Sequence, residues 1–362
     1  MKLLVLKIGA RIAKTGTSGG SGEAVSIIDM LSPDNEVTCY TKILKNDIPI
    51  DNVKMLDIEE NYENLNYDAL VIINGHCNFF GGAENRLDML NYHIINNFKN
   101  KIFYIYCDVN LSLKQIWKSV EVKPWAHKYK KENVYITRED IIYICQAYDL
   151  KSSKELVEKN GIKIKEYFHY PLYKFPLMYD REKIGEHQVD LIYGGTFRSG
   201  KREKKLVKYY FGYQDLDVEI FGKIKLDDFK PKLIEGLKPP KFTNAVNYYE
   251  FKKKMSTGLA TCIIGDNWYE GKHLTQRIYE GILGNSIIFI DKDLDPYQMV
   301  FKNQELKNHC YVNSRQEVED RIKDIKKNNS YLQIVDAQFN DTIIDKRKFC
   351  SDFSKLIYEN LL

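Results

Sequence analysis

The 362-residue chain carries 54 Lys+Arg against 50 Asp+Glu, a net charge of +4, with 44% hydrophobic and 29% charged residues. That balance is ordinary for a globular protein, and the length favours two domains over one core; the weak positive charge does not by itself mark a nucleic-acid binder. Seven scattered cysteines without a CxxC pair exclude a disulfide scaffold, and no histidine has metal-ligand spacing, so the thiols read as those of a reduced, cytoplasmic protein.

The first segment, MKLLVLKIGARIAK, is too short and too basic to span a membrane and lacks a small-residue cleavage site. Its apolar run Leu3–Ile8 predicts a strand, followed by a flexible loop over Thr15–Glu23 (TGTSGGSGE) and an amphipathic helix over Ala24–Leu31. Further strands are predicted at Val37–Thr41, Ala69–Asn74, Lys101–Asp108 and Val134–Thr137, with a helix over Ala83–Phe98. The pattern then restarts with strand Val189–Tyr193, a glycine turn and a helix over Lys201–Phe211. Strands Leu216–Phe221 and Ala260–Ile264, helix His273–Leu283 and strand Ser286–Asp291 complete the second run.

Continuous apolar strands separated by helices predict parallel sheets covered on both faces. Two successive runs predict an α/β protein of two Rossmann-like domains facing each other across a central cleft. The loop-rich join at Tyr170–His187 divides residues 1–178 from residues 179–345, and a C-terminal helix over Lys346–Leu361 crosses back, assigning 346–362 to the first domain.

Four constellations could carry chemistry. In YGGTFRSGKRE, Tyr193–Glu203, two glycines follow a buried strand and precede a helix, where backbone can approach a phosphate. Arg198 and Arg202, four apart, share a face if the helix begins early; a solvated helix start with surface arginines fits as well. In RIYE, Arg277 can neutralise phosphate and Glu280 can accept from both hydroxyls of a ribose, or the two can form an ordinary surface ion pair. Asp108, ending the strand KIFYIYCD, suits either a general base or a turn cap. NFFGG, Asn78–Gly82, is a buried turn or an exposed tip able to hold open a base stack. The KPW segment at Lys123–Trp125 and the Lys252–Lys254 run read as solvated charge.

Together and in this order, these motifs resemble the DNA β-glucosyltransferases of T-even bacteriophages. The similarity is densest in NFFGG, KIFYIYCD, KPWAHKY, DLIYGGTFRSGKRE, EIFGK, KFTNAV, CIIGD and LTQRIYE. The resemblance implies the GT-B fold and an inverting transfer from a UDP-sugar, expected to be UDP-glucose, to 5-hydroxymethylcytosine in double-stranded phage DNA, which protects that DNA from restriction. It implies Asp108 as the base and Glu23 beside the donor sugar. Gly195, Thr196, Arg198, Arg202 and Arg277 would hold the diphosphate, Phe221 and Val246 would surround the uracil, and Glu280 would bind the ribose. Asn78 and Phe80 would enter the duplex beside the flipped base. A divalent ion, Mg2+ or Mn2+, assists turnover in the family, whereas the residues here show no dedicated metal cage. A monomer without membrane attachment, in the cytoplasm of the infected host, is expected. Thr196 stands where the family has serine, Asn110 where a basic residue is expected, and TGTSGGSGE and NWYEGKH differ from the family pattern. Another donor such as UDP-arabinose, an already modified base, and a non-DNA acceptor are the competing readings.

Overall fold

The computed structural model describes residues 1–8, 12, 19–43, 50–74, 85–106, 140–146, 166–265 and 269–361. The chain divides into two units, Met1–Leu172 with Asp345–Leu362, and Tyr173–Ile344. Each is built on its own parallel sheet.

In the first unit the strands are β1 (Lys2–Ile8), β2 (Glu36–Thr41), β3 (Lys54–Asp57), β4 (Ala69–Asn74), β5 (Lys101–Tyr106), β6 (Ile141–Cys145) and β7 (Glu166–His169). They lie in the order β3-β2-β1-β4-β5-β6-β7. Successive residues of a strand face opposite sides. Leu3, Leu4, Val5 and Leu6 are all fully buried, so both faces of β1 are covered. On one face Leu4, Leu6, Leu70, Ile72 and Tyr104 pack with Ile58 of a short helix, α2 (Ile58–Asn61), and with Ile94 and Ile95 of α3 (Asn85–Asn97). Strand β6, a continuous IIYIC run, was not among the expected strands; the one expected at 134–137 lies outside the described residues.

The first helix, α1, runs Gly19–Leu31, so Gly19–Glu23 are helical rather than loop. Burial of Ala24, Val25, Ile27, Ile28 and Leu31 anchors this helix. Extending a nucleated helix backwards through glycine costs only about 1 kcal/mol per residue, less than starting a new one. The C-terminal helix, α11 (Lys346–Glu359), packs on α1, and Asn35 Nδ2 donates to Ser354 Oγ at 3.2 Å. Tyr170 pins it further: its ring lies 5.2 Å from Phe349 and 4.8 Å from Phe353, and its hydroxyl donates to the Phe349 carbonyl.

The second unit's strands are β8 (Val189–Thr196), β9 (Val218–Lys223), β10 (Lys241–Thr243), β11 (Gly258–Ile263), β12 (Ile287–Asp291) and β13 (Tyr311–Val312), in the order β10-β9-β8-β11-β12-β13. The chain order reverses at β8/β11, as it does at β1/β4 in the first sheet. Ligands of such sheets bind beyond the carboxyl ends of the strands at this switch point. Helices α4 (Lys201–Tyr210), α6 (Tyr248–Met255) and α7 (Arg277–Leu283) flank it; α5 (Pro231–Ile234), α8 (Gln304–Cys310), α9 (Arg315–Asn328) and α10 (Tyr331–Thr342) complete the unit. Of these, α5, α6, α8, α9 and α10 were not expected from sequence; α9, for instance, shows the core only Val318, Ile322 and Ile325.

The five described cysteines, Cys39, Cys145, Cys262, Cys310 and Cys350, are buried free thiols. Among the described residues no helix is long and apolar enough to cross a membrane.

Candidate nucleotide-binding site

The glycine pair expected as a turn is strand. β8 continues through Gly194, Gly195 and Thr196, in register with Phe221, Gly222 and Lys223 of β9. The glycines serve close approach. A Cβ on Gly194 would fall 2.4 Å from the Phe221 ring and 2.6 Å from that of Phe251. Gly222 has a positive φ of 139°, and a Cβ there would lie 1.8 Å from the Gly195 carbonyl oxygen. Gly222→Ala is therefore expected to cost at least about 2 kcal/mol, read as a lower urea midpoint.

The real turn comes at Gly200, with φ of 89°, and α4 begins immediately after it. Buried Glu203 closes the turn by accepting from the Gly200 N–H at 3.2 Å and the Lys230 N–H at 2.8 Å. Because a left-handed residue separates them, Arg198 lies in the loop and Arg202 on the helix; the two do not share a helical face. Thr196 is exposed and Gly195 half-buried, both at the carboxyl end of β8. The Arg202 guanidinium lies over the Tyr269 ring, 5.6 Å from its centroid.

Helix α7 starts at Arg277, not at His273. Gly271, with φ of 66°, breaks the helical path in a turn where the Lys272 and His273 N–H groups both donate to the Tyr269 carbonyl at 3.0 Å, and no helix forms between that turn and Arg277. Arg277 Nη1 donates to Glu280 Oε2 at 2.6 Å. Its guanidinium rests on the Phe251 ring at 3.9 Å, and that ring lies 5.1 Å from Phe221. Val246 packs on the same cluster of Ile192, Phe221, Phe251 and Met255. Phe221, Val246, Arg277 and Glu280 are thus brought together, with Phe221 only 1% exposed and acting as support beneath Phe251.

Glu280 is 2% exposed. Burial pushes its carboxyl above the usual range, while Arg277 and, more weakly, Lys252 oppose that shift. Its second oxygen, Oε1, is buried and takes no hydrogen bond from any described residue. A buried acceptor beside a guanidinium offers a place for a ligand hydroxyl, with the anion that ligand carries on the arginine.

Sequence reasoning missed Phe251, hidden beside the Lys252–Lys254 run read as solvated charge. Two of those lysines have structural work: Lys254 pairs with buried Glu219 at 2.6 Å, and Lys252 donates to the Asp180 carbonyl at 3.0 Å. It also missed a buried cluster around Lys205. Among the described residues, Glu270, Asp291 and Asp293 form the one acidic trio close enough to hold a metal ion. Lys205 Nζ already lies among them, 2.5 Å from Glu270, 3.0 Å from Asp293 and paired with Asp291. Burial alone would lower the Lys205 ammonium's pKa, but these partners raise it above its ordinary value. The trio therefore has its cation and does not fit a resident metal.

Of the remaining expected site residues, Glu23 lies on α1 by its backbone, and Asp108, Asn78 and Phe80 lie outside the described residues.

A family model described as bacteriophage T4 beta-glucosyltransferase matches residues 1–175. The DNA beta-glucosyltransferase of Enterobacteria phage T4 is 29% identical over 366 residues, covering 99% of each chain. The chain resembles the T-even phage DNA β-glucosyltransferases along its whole length. Among solved structures, a T4 phage BGT mutant in complex with UDP-glucose superposes with a TM-score of 0.82 at 25% identity, covering 99% of each chain. T4 phage BGT in complex with UDP and Mn2+ gives 0.81 at 26% identity, over 100% of this chain and 99% of that one. The two Rossmann-like sheets are accordingly those of the GT-B fold.

Proposed function

We propose that this chain is an inverting DNA glycosyltransferase that moves glucose from UDP-glucose onto the hydroxymethyl group of 5-hydroxymethylcytosine in double-stranded DNA. The observation that carries this reading is the Arg277–Glu280 pair at the switch-point end of the second sheet, with one buried Glu280 oxygen left for a ribose hydroxyl. Its likeness to T4 phage BGT in complex with UDP-glucose and with UDP and Mn2+ gives that ligand its class.

In this reading the second unit holds the donor. Glu280 binds the ribose, and Phe221 and Val246 bound the uracil. Gly195 and Thr196 offer backbone and hydroxyl to the diphosphate, and Arg198, Arg202 and Arg277 carry its charge. A leaving UDP gains negative charge as the glycosidic bond breaks, so preplaced guanidinium groups stabilise the transition state more than the ground state. The first unit takes the DNA. Asp108 removes the proton from the acceptor hydroxyl, whose oxygen attacks the sugar's anomeric carbon opposite the departing diphosphate, turning an α-linked donor into a β-linked product. Glu23 stands beside the sugar, and Asn78 and Phe80 hold the gap from which the target base is turned out. The arginines neutralise this charge, and a divalent ion such as the Mn2+ found with UDP in T4 phage BGT would add to that neutralisation. The enzyme acts as a monomer in the cytoplasm of an infected host, where the modification shields phage DNA from restriction.

The test is mass spectrometry of nucleosides from hydroxymethylcytosine DNA incubated with a panel of UDP-sugars. A hexose on hydroxymethylcytosine from UDP-glucose is the expected product. Transfer from UDP-arabinose instead would reassign the donor, and transfer to free acceptors but not to DNA would overturn the reading.

A further inference from the structure

We infer that Tyr269 and Glu270 are positioning residues that present the Arg202 guanidinium to the donor's diphosphate; this rests on the donor-site reading above. In the sequence their segment, NWYEGKH, stood out only as a departure from the family pattern, and the chemistry lies in how this turn is fastened to the start of α4.

The turn is firmly built. Gly271 adopts a left-handed φ of 66° and its N–H donates to the Leu294 carbonyl at 3.2 Å. Behind it, a Cβ on Gly265 would meet Leu294 at 3.0 Å and Glu270 Cγ at 3.1 Å, so the Glu270 side chain is boxed in from that side. From this turn Glu270 reaches the two lysines that bracket Arg202 on α4. It pairs with Lys201, one residue before, and with Lys205, three residues after, at 2.5 Å. Lys205 is also held by Asp291 and Asp293, and Asp291 accepts from the Tyr209 hydroxyl at 2.8 Å.

Two consequences follow. The first is geometric: clasping Lys201 and Lys205 fixes the Tyr269 ring beneath the Arg202 guanidinium, 5.6 Å away, and the His273 ring lies 5.1 Å from that of Tyr269. A planar aromatic surface holds the flat guanidinium fork in one orientation, which a two-pronged grip on phosphate oxygens requires. The second is electrostatic: the charges of Lys201 and Lys205 are directed to carboxylates rather than to a ligand anion.

Calorimetric titration with UDP and with uridine tests this, using the full chain, Glu270→Gln, Arg202→Ala and the double variant. Glu270→Gln leaves Lys205 paired with Asp291 and Asp293, and unchanged uridine affinity serves as the check that the unit is folded. Glu270→Gln is expected to weaken UDP about tenfold and uridine by less than about twofold. In the Arg202→Ala background the same substitution should change UDP affinity by less than about twofold, because the group it positions is gone. Unchanged UDP affinity in Glu270→Gln, an equal loss with and without Arg202, or a parallel loss of uridine affinity would each overturn the inference. A parent protein that binds neither UDP nor uridine would instead remove the donor-site reading itself.

Discussion

Asp108→Ala should lose sugar transfer by about three orders of magnitude, the scale of a positioned general base, while UDP affinity stays within about twofold. The reason is a division of labour. In the proposed reading the acceptor hydroxyl is a poor nucleophile until its proton is taken, whereas UDP binding draws on residues of the second unit. Single-turnover transfer to hydroxymethylcytosine DNA, with UDP titration alongside, measures both. Transfer at the parent rate would remove Asp108 from the role; loss of UDP binding in step with transfer would move it to the donor site.

Arg277→Ala should be costly in a different way. It leaves the Glu280 carboxylate 2% exposed and without the guanidinium 2.6 Å away. Stranding a buried charge costs about 3 kcal/mol, and UDP affinity should fall about 100-fold as the phosphate partner goes too. The sign with pH follows from burial. Glu280 already sits above its ordinary pKa, and loss of Arg277 removes the leading influence that lowers it. A carboxyl raised on folding contributes stability that is complete below its unfolded pKa and is lost as pH rises through its folded one. The deficit of Arg277→Ala should therefore be small at about pH 4 and grow towards about pH 8, read from urea midpoints. Adding Glu280→Gln should restore stability at the higher pH without restoring UDP binding. A double variant as unstable as Arg277→Ala would show that the arginine supports the fold through its contact with Phe251 rather than through the carboxylate.

How much of this was legible in the chain depends on the distance between partners. The strands β1, β4, β5 and β12 are continuous apolar runs, and a parallel sheet buried on both faces demands that pattern; these could be read from composition along a few residues. Arg277 and Glu280 were legible for a similar reason, since a spacing of three on a helix sets their contact locally. Helices α8, α9 and α10 were not: α9 turns only Val318, Ile322 and Ile325 to the core, so its apolar stripe is narrow.

The motif that first suggested a phosphate grip shows the limit most clearly. From YGGTFRSGKRE alone, the glycines suggested a turn and the two arginines a common helical face. Three-dimensional packing decided otherwise. Gly194 is small because the Phe221 and Phe251 rings close over it, and Gly222 because Gly195 backs directly onto it. Gly200, whose left-handed φ any other residue would resist, sets where α4 begins and so parts Arg198 from Arg202. The orientation of Arg202 depends on Tyr269 and Glu270, brought from far along the chain by the β11–α7 connection. By itself the sequence determined which residues have the chemistry for a nucleotide diphosphate and where the strands that carry them run. Only the tertiary structure decided which ring supports which guanidinium, because those contacts join segments whose separation along the chain carries no periodic signal.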